Sequence, residues 1–301
     1  MSGKIVVIGS MNTDMVISSE RLPLPGETVV GGNFMMNSGG KGANQAVAAA
    51  RLDGDVYIIA KSGNDLFGRR AIEQFQQDHI NTDYMCSDPD LPSGVALILV
   101  DANGENSIAV ASGANASLSP ADIDAAASLI AESKIVLMQL ETPIETIEHA
   151  AHLAHLQGKK VILNPAPARP LSDKLMADID ILIPNKNEAE LLSGIEINGI
   201  DDARRAAQAI GKRGINTVII TLGSDGALVM EGEDFHLVSA RKVKVVDTTA
   251  AGDTFCGALA VALTEDRGIV EAVEFASRCA AITVTRPGAQ MSLPRRCEII
   301  D

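Results

Sequence analysis

Two hydrophobic patterns alternate along the chain. Short continuous runs of Ile, Val and Leu fall at 4–8, 55–61, 135–140, 160–164, 179–183, 217–221 and 227–230. Runs of this length without polar interruption read as strands buried on both faces. Between them lie stretches with apolar residues three and four apart, at 43–52, 68–79, 119–133, 144–157, 202–211, 253–263 and 270–284. These read as helices, and Ser119 followed by Pro120 and Asp122 supplies an N-cap, an N1 proline and a first-turn acid. The β-branched run 243–246 reads as a strand end leading into the helix at 253. No helix is predicted beyond Pro294. Strands alternating with helices give an α/β fold, a three-layer α/β/α sandwich on a mainly parallel, doubly wound sheet.

Two regions break that alternation. Residues 23–37 are Gly-rich and strand-like with no helix following, and 94–101 and 106–111 flank an Asn103-Gly104 hairpin signal. They predict a small β-sheet lid, with segments at about 15–37 and 93–112 inserted in a single domain spanning 1–301. An exposed apolar face on such a sheet favours pairing with a second copy, so a homodimer through the lid is expected.

Composition narrows the partners. A formal charge of −14 argues against nucleic acid and anionic membranes. No apolar run spans a bilayer and no signal-peptide pattern opens the chain. Cys86, Cys256, Cys279 and Cys297 are isolated, which fits a reducing compartment and excludes a thiolate zinc site. A cytoplasmic location is expected.

The candidate chemistry lies in the turns after strands, where doubly wound sheets bind ligands. Asp247-Thr-Thr-Ala-Ala-Gly-Asp-Thr-Phe255 places Ala250, Ala251 and Gly252 at a helix start, with bare backbone N–H groups suited to an anion. Asp253 follows, either as a general base beside that anion or as a helix-start cap. Asn12 and Asp14 follow the first strand as hydroxyl-binding groups or as ordinary turn residues. Ser38-Gly-Gly-Lys-Gly-Ala-Asn-Gln45 looks like a phosphate loop but has Met35 where Gly is needed and Gly42 where Ser or Thr would hold magnesium. Lys41 and Asn44 instead suit a small polar ligand. Glu141 ends a strand on the same rim. Asn185 and Glu188 suit hydrated Mg²⁺ or a capping box. Gly223 and Gly226 allow close approach of a ligand. His149, His152 and His155 step every third residue, so the outer two diverge by about 120° on a helix and read as surface residues, not metal ligands.

Taken in order, these segments resemble the ribokinase-like (phosphofructokinase-B type) sugar kinases over essentially the whole chain. The resemblance implies ATP-dependent phosphorylation of D-ribose at its 5-hydroxyl. It implies Asp253 as base and the N–H groups from Ala250 to Asp253 as an anion hole. Asn12, Asp14, Gly40, Lys41, Asn44 and Glu141 would hold the sugar. Asn185, Thr221, Gly223, Gly226, Gly252 and Ser277 would line the ATP site, with Glu188 reaching Mg²⁺ through water. Asp247, Thr249, Thr283, Arg286, Gly288 and Ser292 would hold a monovalent cation, K⁺, largely through carbonyls. In deoxyribose-preferring relatives the position of Asn12 tends to be apolar. Kinases for deoxyribose or another sugar or nucleoside, and a silent sugar-binding regulatory module, are the alternatives. An intact Asp253 argues against the module. A dehydrogenase is disfavoured because no Gly-x-Gly-x-x-Gly follows the first strand.

Overall fold

The computed structural model describes residues 3–300. In chain order, β1 (Lys4–Ile8) leads to β2 (Asn12–Ser18) and β3 (Asn33–Gly39), then α1 (Lys41–Arg51), β4 (Asp55–Gly63), α2 (Leu66–Gln77) and β5 (Met85–Asp88). Next come β6 (Gly94–Val100), β7 (Asn106–Ala111), α3 (Pro120–Ala125), α4 (Ala127–Glu132), β8 (Ile135–Met138), α5 (Ile144–Leu156) and β9 (Lys160–Leu163). The second half carries α6 (Asp173–Ala177), β10 (Ile181–Leu182), α7 (Lys186–Ser193), α8 (Ile200–Gly211) and β11 (Thr217–Thr221). It closes with β12 (Ala227–Glu231), β13 (Asp234–Val238), α9 (Ala251–Thr264) and α10 (Ile269–Thr283).

The main sheet runs β13-β12-β11-β10-β9-β8-β1-β4-β5, parallel except for the β11-β12-β13 edge. Alternate residues of β1 serve different layers. Ile5 and Val7 point to the core layer that holds Val47 of α1, Leu259 of α9 and Phe275 of α10. Val6 and Ile8 point to the core on the other face, which also holds Ile130, Ile147 and Ile210. Burial on both faces is why the run is continuously apolar. From β1 the order departs both ways, to β4 and to β8, so the gap beyond their carboxyl ends is the topological switch point.

The small sheet runs β3-β2-β6-β7. It starts earlier than the sequence suggested: Asn12 and Asp14 lie in β2, paired with Gly39 and Asn37, instead of in a loop. Residues 26–32 form no strand, because Gly31 and Gly32 hold φ of 110° and 100°, and β3 begins at Asn33. The run 243–246 is also not a strand. Val243, Val245 and Val246 are exposed, and the sheet edge is taken by β13. The predicted helix at 119–133 breaks at Ala126 into α3 and α4, with the Ser119–Asp122 capping box in place. Past Pro294 the chain makes one short 3-10 turn, Arg296–Glu298.

Candidate active site

The site is built where α9 begins. Ala250 holds φ of 60°, a left-handed conformation uncommon for a residue with a Cβ, and no side chain caps the helix. Ala251 N donates to the Thr248 carbonyl oxygen at 3.3 Å, and the other N–H groups at the helix start have no side-chain cap and have the helix dipole behind them. Gly252 is exposed, and a Cβ added there would meet nothing within 4 Å. Protein packing does not demand a glycine at this position, while a ligand approaching the backbone would.

Asp253, one residue on, is buried at 6 % exposure. Asn44 Nδ2 donates to its Oδ2 at 2.9 Å, and Gln45 Nε2 donates to its Oδ1 at 3.1 Å. Both donors come from α1, which lies hard against α9: a Cβ on Gly257 would sit 2.6 Å from the Gln45 carbonyl oxygen. Burial raises the Asp253 pKa, opposed by Lys41, Asn44 and Gln45, and the net shift is upward. That is the direction that strengthens a carboxylate as a base.

Asn12, Asp14, Gly40, Lys41, Asn44 and Glu141 converge on the same place. Glu141 Oε2 accepts from Ser10 Oγ at 2.5 Å and from Lys41 N at 3.0 Å, tying the carboxyl ends of β8 and β1 to the start of α1. Gly40 has φ of 88°, and a Cβ there would lie 2.8 Å from Asn12 N, so only glycine lets the chain turn here. Asn12 Oδ1 accepts from Asn115 Nδ2 at 2.9 Å, which fixes the orientation of its amide. Asp14 folds over Gly39, and burial, then Glu141 and Asp253, push its pKa up to about 6. Burial pulls the Lys41 pKa down, but Asp253, Glu141 and Glu188 outweigh it and hold the ammonium charged. The buried Asn44 Oδ1 has no partner in the protein, a cost of roughly 1–3 kcal/mol that a ligand hydroxyl would relieve.

The remaining predicted residues form two neighbouring groups. Asn185 and Glu188 do make the capping box, and Glu188 is also buried with its pKa raised by burial. Asn185 bridges to Thr221, next to the Gly223 and Gly226 turn. Gly226 has a packing reason of its own, since a Cβ would sit 2.0 Å from the Val238 carbonyl oxygen. Ser277 lies half-buried on α10, which packs on β12 and β13. In the second group, Asp247 accepts from Thr249 N and Oγ1 at 2.9 and 2.7 Å and from Gly288 N at 2.9 Å. Three others point their side chains elsewhere: Thr283 Oγ1 meets Thr254, Arg286 pairs with Glu298, and Ser292 Oγ donates to the Ala289 carbonyl.

Sequence reading did not single out Gln45, Ser10, Asn115, Gln139 or Asn164 as site residues, although Gln45 sat inside a quoted motif. No group of His, Cys, Asp and Glu with metal-binding geometry occurs among the described residues, and His149 and His152 meet Asp124 and Asp178 instead. A cavity of about 700 Å³ is not here. It lies at the amino end of β11, lined by Lys212, Glu233 and Phe235, and has none of the carboxylates above.

Comparison with known proteins agrees with this geometry. Residues 2–296 match the pfkB family of carbohydrate kinases. A ribokinase of Haemophilus influenzae is 44% identical over 301 residues, covering 100% of this chain and 98% of that protein. A deoxyribokinase of Salmonella typhi is 40% identical over 291 residues, covering 96% and 95%. Among solved structures, Arabidopsis thaliana ribokinase complexed with ribose and ATP superposes with a TM-score of 0.92 at 33% identity, covering 99% of this chain and 98% of that one.

Proposed function

The chain belongs to the pfkB family of carbohydrate kinases, and from that premise we propose that it transfers the γ-phosphoryl group of ATP to the 5-hydroxyl of D-ribose, giving ribose 5-phosphate and ADP. The observation that carries this reading is the meeting of a buried, upward-shifted Asp253 with an uncapped helix start and a ring of hydroxyl-binding groups under a lid. Asp253 takes the proton from the sugar hydroxyl. The freed oxygen attacks the γ-phosphorus, and the bond to the leaving ADP oxygen breaks. The N–H groups at the start of α9 hold the charge that gathers on the phosphoryl oxygens. Asn12, Asp14, Lys41, Asn44 and Glu141 hold the sugar. Thr221, Gly223, Gly226 and Ser277 line the nucleotide side.

Mg²⁺ and K⁺ fit the residues present. Asp14, Glu141, Glu188 and Asp253 set four carboxylates against one ammonium, Lys41, an excess of negative charge that a divalent cation balances. Glu188 and Asn185 would orient Mg²⁺ through water, where it supplies charge neutralisation for the phosphates. Asp247 is held ionised by Thr249 and Gly288 against the effect of burial, yet no lysine or arginine pairs with it among the described residues. A monovalent cation beside Asp247 and Thr249 meets that need.

Ribose is favoured over 2-deoxyribose because Asn12 is buried and its amide is fixed by Asn115. A site built to hydrogen-bond a hydroxyl is left with unpaired groups when that hydroxyl is missing, at about 1–3 kcal/mol per group. The lid supports a homodimer. Strand alternation and register put Ile17, Phe34, Met36 and Leu97 on one face and Met35, Ile108 and Val110 on the other, beside Asp14. The second face closes over the sugar and the first is left for another copy. A cytoplasmic setting suits an ATP-dependent enzyme whose four cysteines are all free; no helix among the described residues is long and apolar enough to cross a membrane. The test is a panel of sugars with ATP, read as ADP formed. Ribose should give the highest kcat/KM, and deoxyribose used equally well would overturn the substrate assignment.

A further inference from the structure

Asn44 and Gln45 are neighbours on α1, and both reach Asp253. Their remaining atoms differ. Asn44 Oδ1 is buried without a partner, so Asn44 has capacity to spare for a sugar hydroxyl. Gln45 has none. Its Nε2 serves Asp253 Oδ1 at 3.1 Å and also Asn164 Oδ1 at 3.2 Å, and its Oε1 accepts from Gln139 Nε2 at 2.6 Å. Asn164 Nδ2 donates in turn to the Ile183 carbonyl at 2.9 Å. Gln45 and Gln139 are fully buried. Gly9 leaves the room for Gln139, since a Cβ there would be 2.1 Å from its Oε1.

We propose that Gln45 is the positioning residue of the catalytic base, fixing one oxygen of Asp253 through an amide chain to the carboxyl ends of β8, β9 and β10. Asp253 stands in the first turn of a helix, where its side-chain torsions are not set by α9 alone. One donor from Asn44 leaves the carboxylate free to swing about that contact. A second donor on the other oxygen removes the swing. Asn44 keeps an oxygen open to the substrate, whereas Gln45 is anchored to the ends of three strands through Gln139 and Asn164.

The chemistry of the anchor matters as much as its place. A lysine or arginine in the position of Gln45 would hold Asp253 equally well but would stabilise its ionised form strongly and weaken it as a base. An amide orients and adds no charge. The charged and titratable groups that face Asp253 are Lys41 on α1, Asp14 on β2, Glu141 after β8, Glu188 on α7 and Cys256 on α9. Gln45 works within that field as one more hydrogen bond to the ionised carboxylate.

The inference rests on the assignment of Asp253 as base toward a sugar hydroxyl, and the experiment separates the two. Wild type, Gln45→Met and Gln139→Met are assayed with ATP and ribose from pH 5 to 9 for kcat and KM (the pH range is about that of side-chain carboxylates shifted upward). Methionine keeps the length and removes the amide. For Gln45→Met, kcat should fall on the order of 10–100-fold, the usual cost of losing a partner one shell behind a reacting group. KM for ribose should stay within about twofold, because the sugar contacts are untouched. The acid limb of kcat should move to higher pH, since a donor to the ionised base is gone. Gln139→Met, which never touches Asp253, should shift both in the same direction by less, and it decides the matter if Gln45→Met does not fold. Unchanged kcat and acid limb in an active-wild-type background would overturn the positioning role, as would a rise in KM with kcat intact. A wild type that releases no ADP with ribose would overturn the underlying reading instead.

Discussion

At the scale of single residues, two carboxylates in one site should leave separate marks. Asp253→Asn removes the proton acceptor, so kcat should fall about 10²- to 10⁴-fold while ribose affinity by calorimetry stays near wild type. A mutant with near-normal turnover would refute the assignment. Asp14 marks the pH dependence of binding. Its pKa is raised to about 6, by burial first and then by Glu141 and Asp253. A raised carboxylate pKa means that the folded protein holds the proton more tightly than the unfolded chain does. Its contribution to stability is therefore present below about pH 4 and is lost as pH rises through about 6. Asp14→Asn should accordingly raise Tm at pH 8 and leave it unchanged at pH 4. After discounting for partial solvent screening, relief of about 1 kcal/mol corresponds to ~2–4 °C. The same variant should lose kcat/KM for ribose at pH 8, and a Tm gain equal at both pH values would contradict the account. That Asn12, Asp14, Lys41, Asn44 and Glu141 come together was legible in the sequence, since they lie just beyond the ends of β1 and β8 or open α1. The residues that grip the base from behind were not. Gln45 meets Gln139 and Asn164 across 94 and 119 positions, and buried amides look like any other polar residue until the fold closes on them.

At the scale of elements, two glycines of α9 invite opposite substitutions. Gly257 touches α1 so closely that a Cβ would lie 2.9 Å from Ala48 Cβ and 3.0 Å from Ala49 N. Gly257→Val should separate the helices, cost about 1–3 kcal/mol in urea denaturation, and lower kcat as Asp253 leaves Asn44 and Gln45. Gly252 has open space over it and a helical φ. Gly252→Ala should keep or add stability, by about 0.4–1 kcal/mol, and yet lower kcat tenfold or more (a rough figure for loss of electrostatic contact with the transferred group). Full activity in Gly252→Ala would mean that the phosphoryl group does not approach the backbone there. The long helices and the central parallel strands were read because their apolar periods are long or unbroken, whereas β5 and α6, of four and five residues, are too short to carry such a period. The run 243–246 was misread because Val243, Val245 and Val246 have strand propensity but stand exposed, while the true edge strand β13 reads Asp-Phe-His-Leu-Val, half polar as an edge requires.

At the scale of the whole molecule, the lid sheet has apolar side chains on both faces and only one substrate to cover. Light scattering at micromolar concentration should show a dimer, and Leu97→Glu should yield a monomer with raised KM for ribose. A monomeric wild type would remove the lid contact from the account. Activity should also rise in K⁺ over Tris-only buffer and vanish with EDTA. Equal rates in K⁺ and Tris would dismiss the Asp247 cation. The strand order has one more consequence, which concerns how the protein is made. The layer that covers Ile5 and Val7 is begun by α1 and completed by α9 and α10, the last two α-helices among the described residues. A nascent chain that has already paired β1 with β4 and β8 has α1 on that sheet face but leaves the rest of it uncovered. At about 5–20 residues per second, the interval between β8 and the end of α10 lasts ~7–30 s on the ribosome. Neither sugar nor nucleotide can shelter the chain during it, because Asp253 and the turn before it have not yet been synthesised. What the growing polypeptide needs in that window is a chaperone that shields apolar surface.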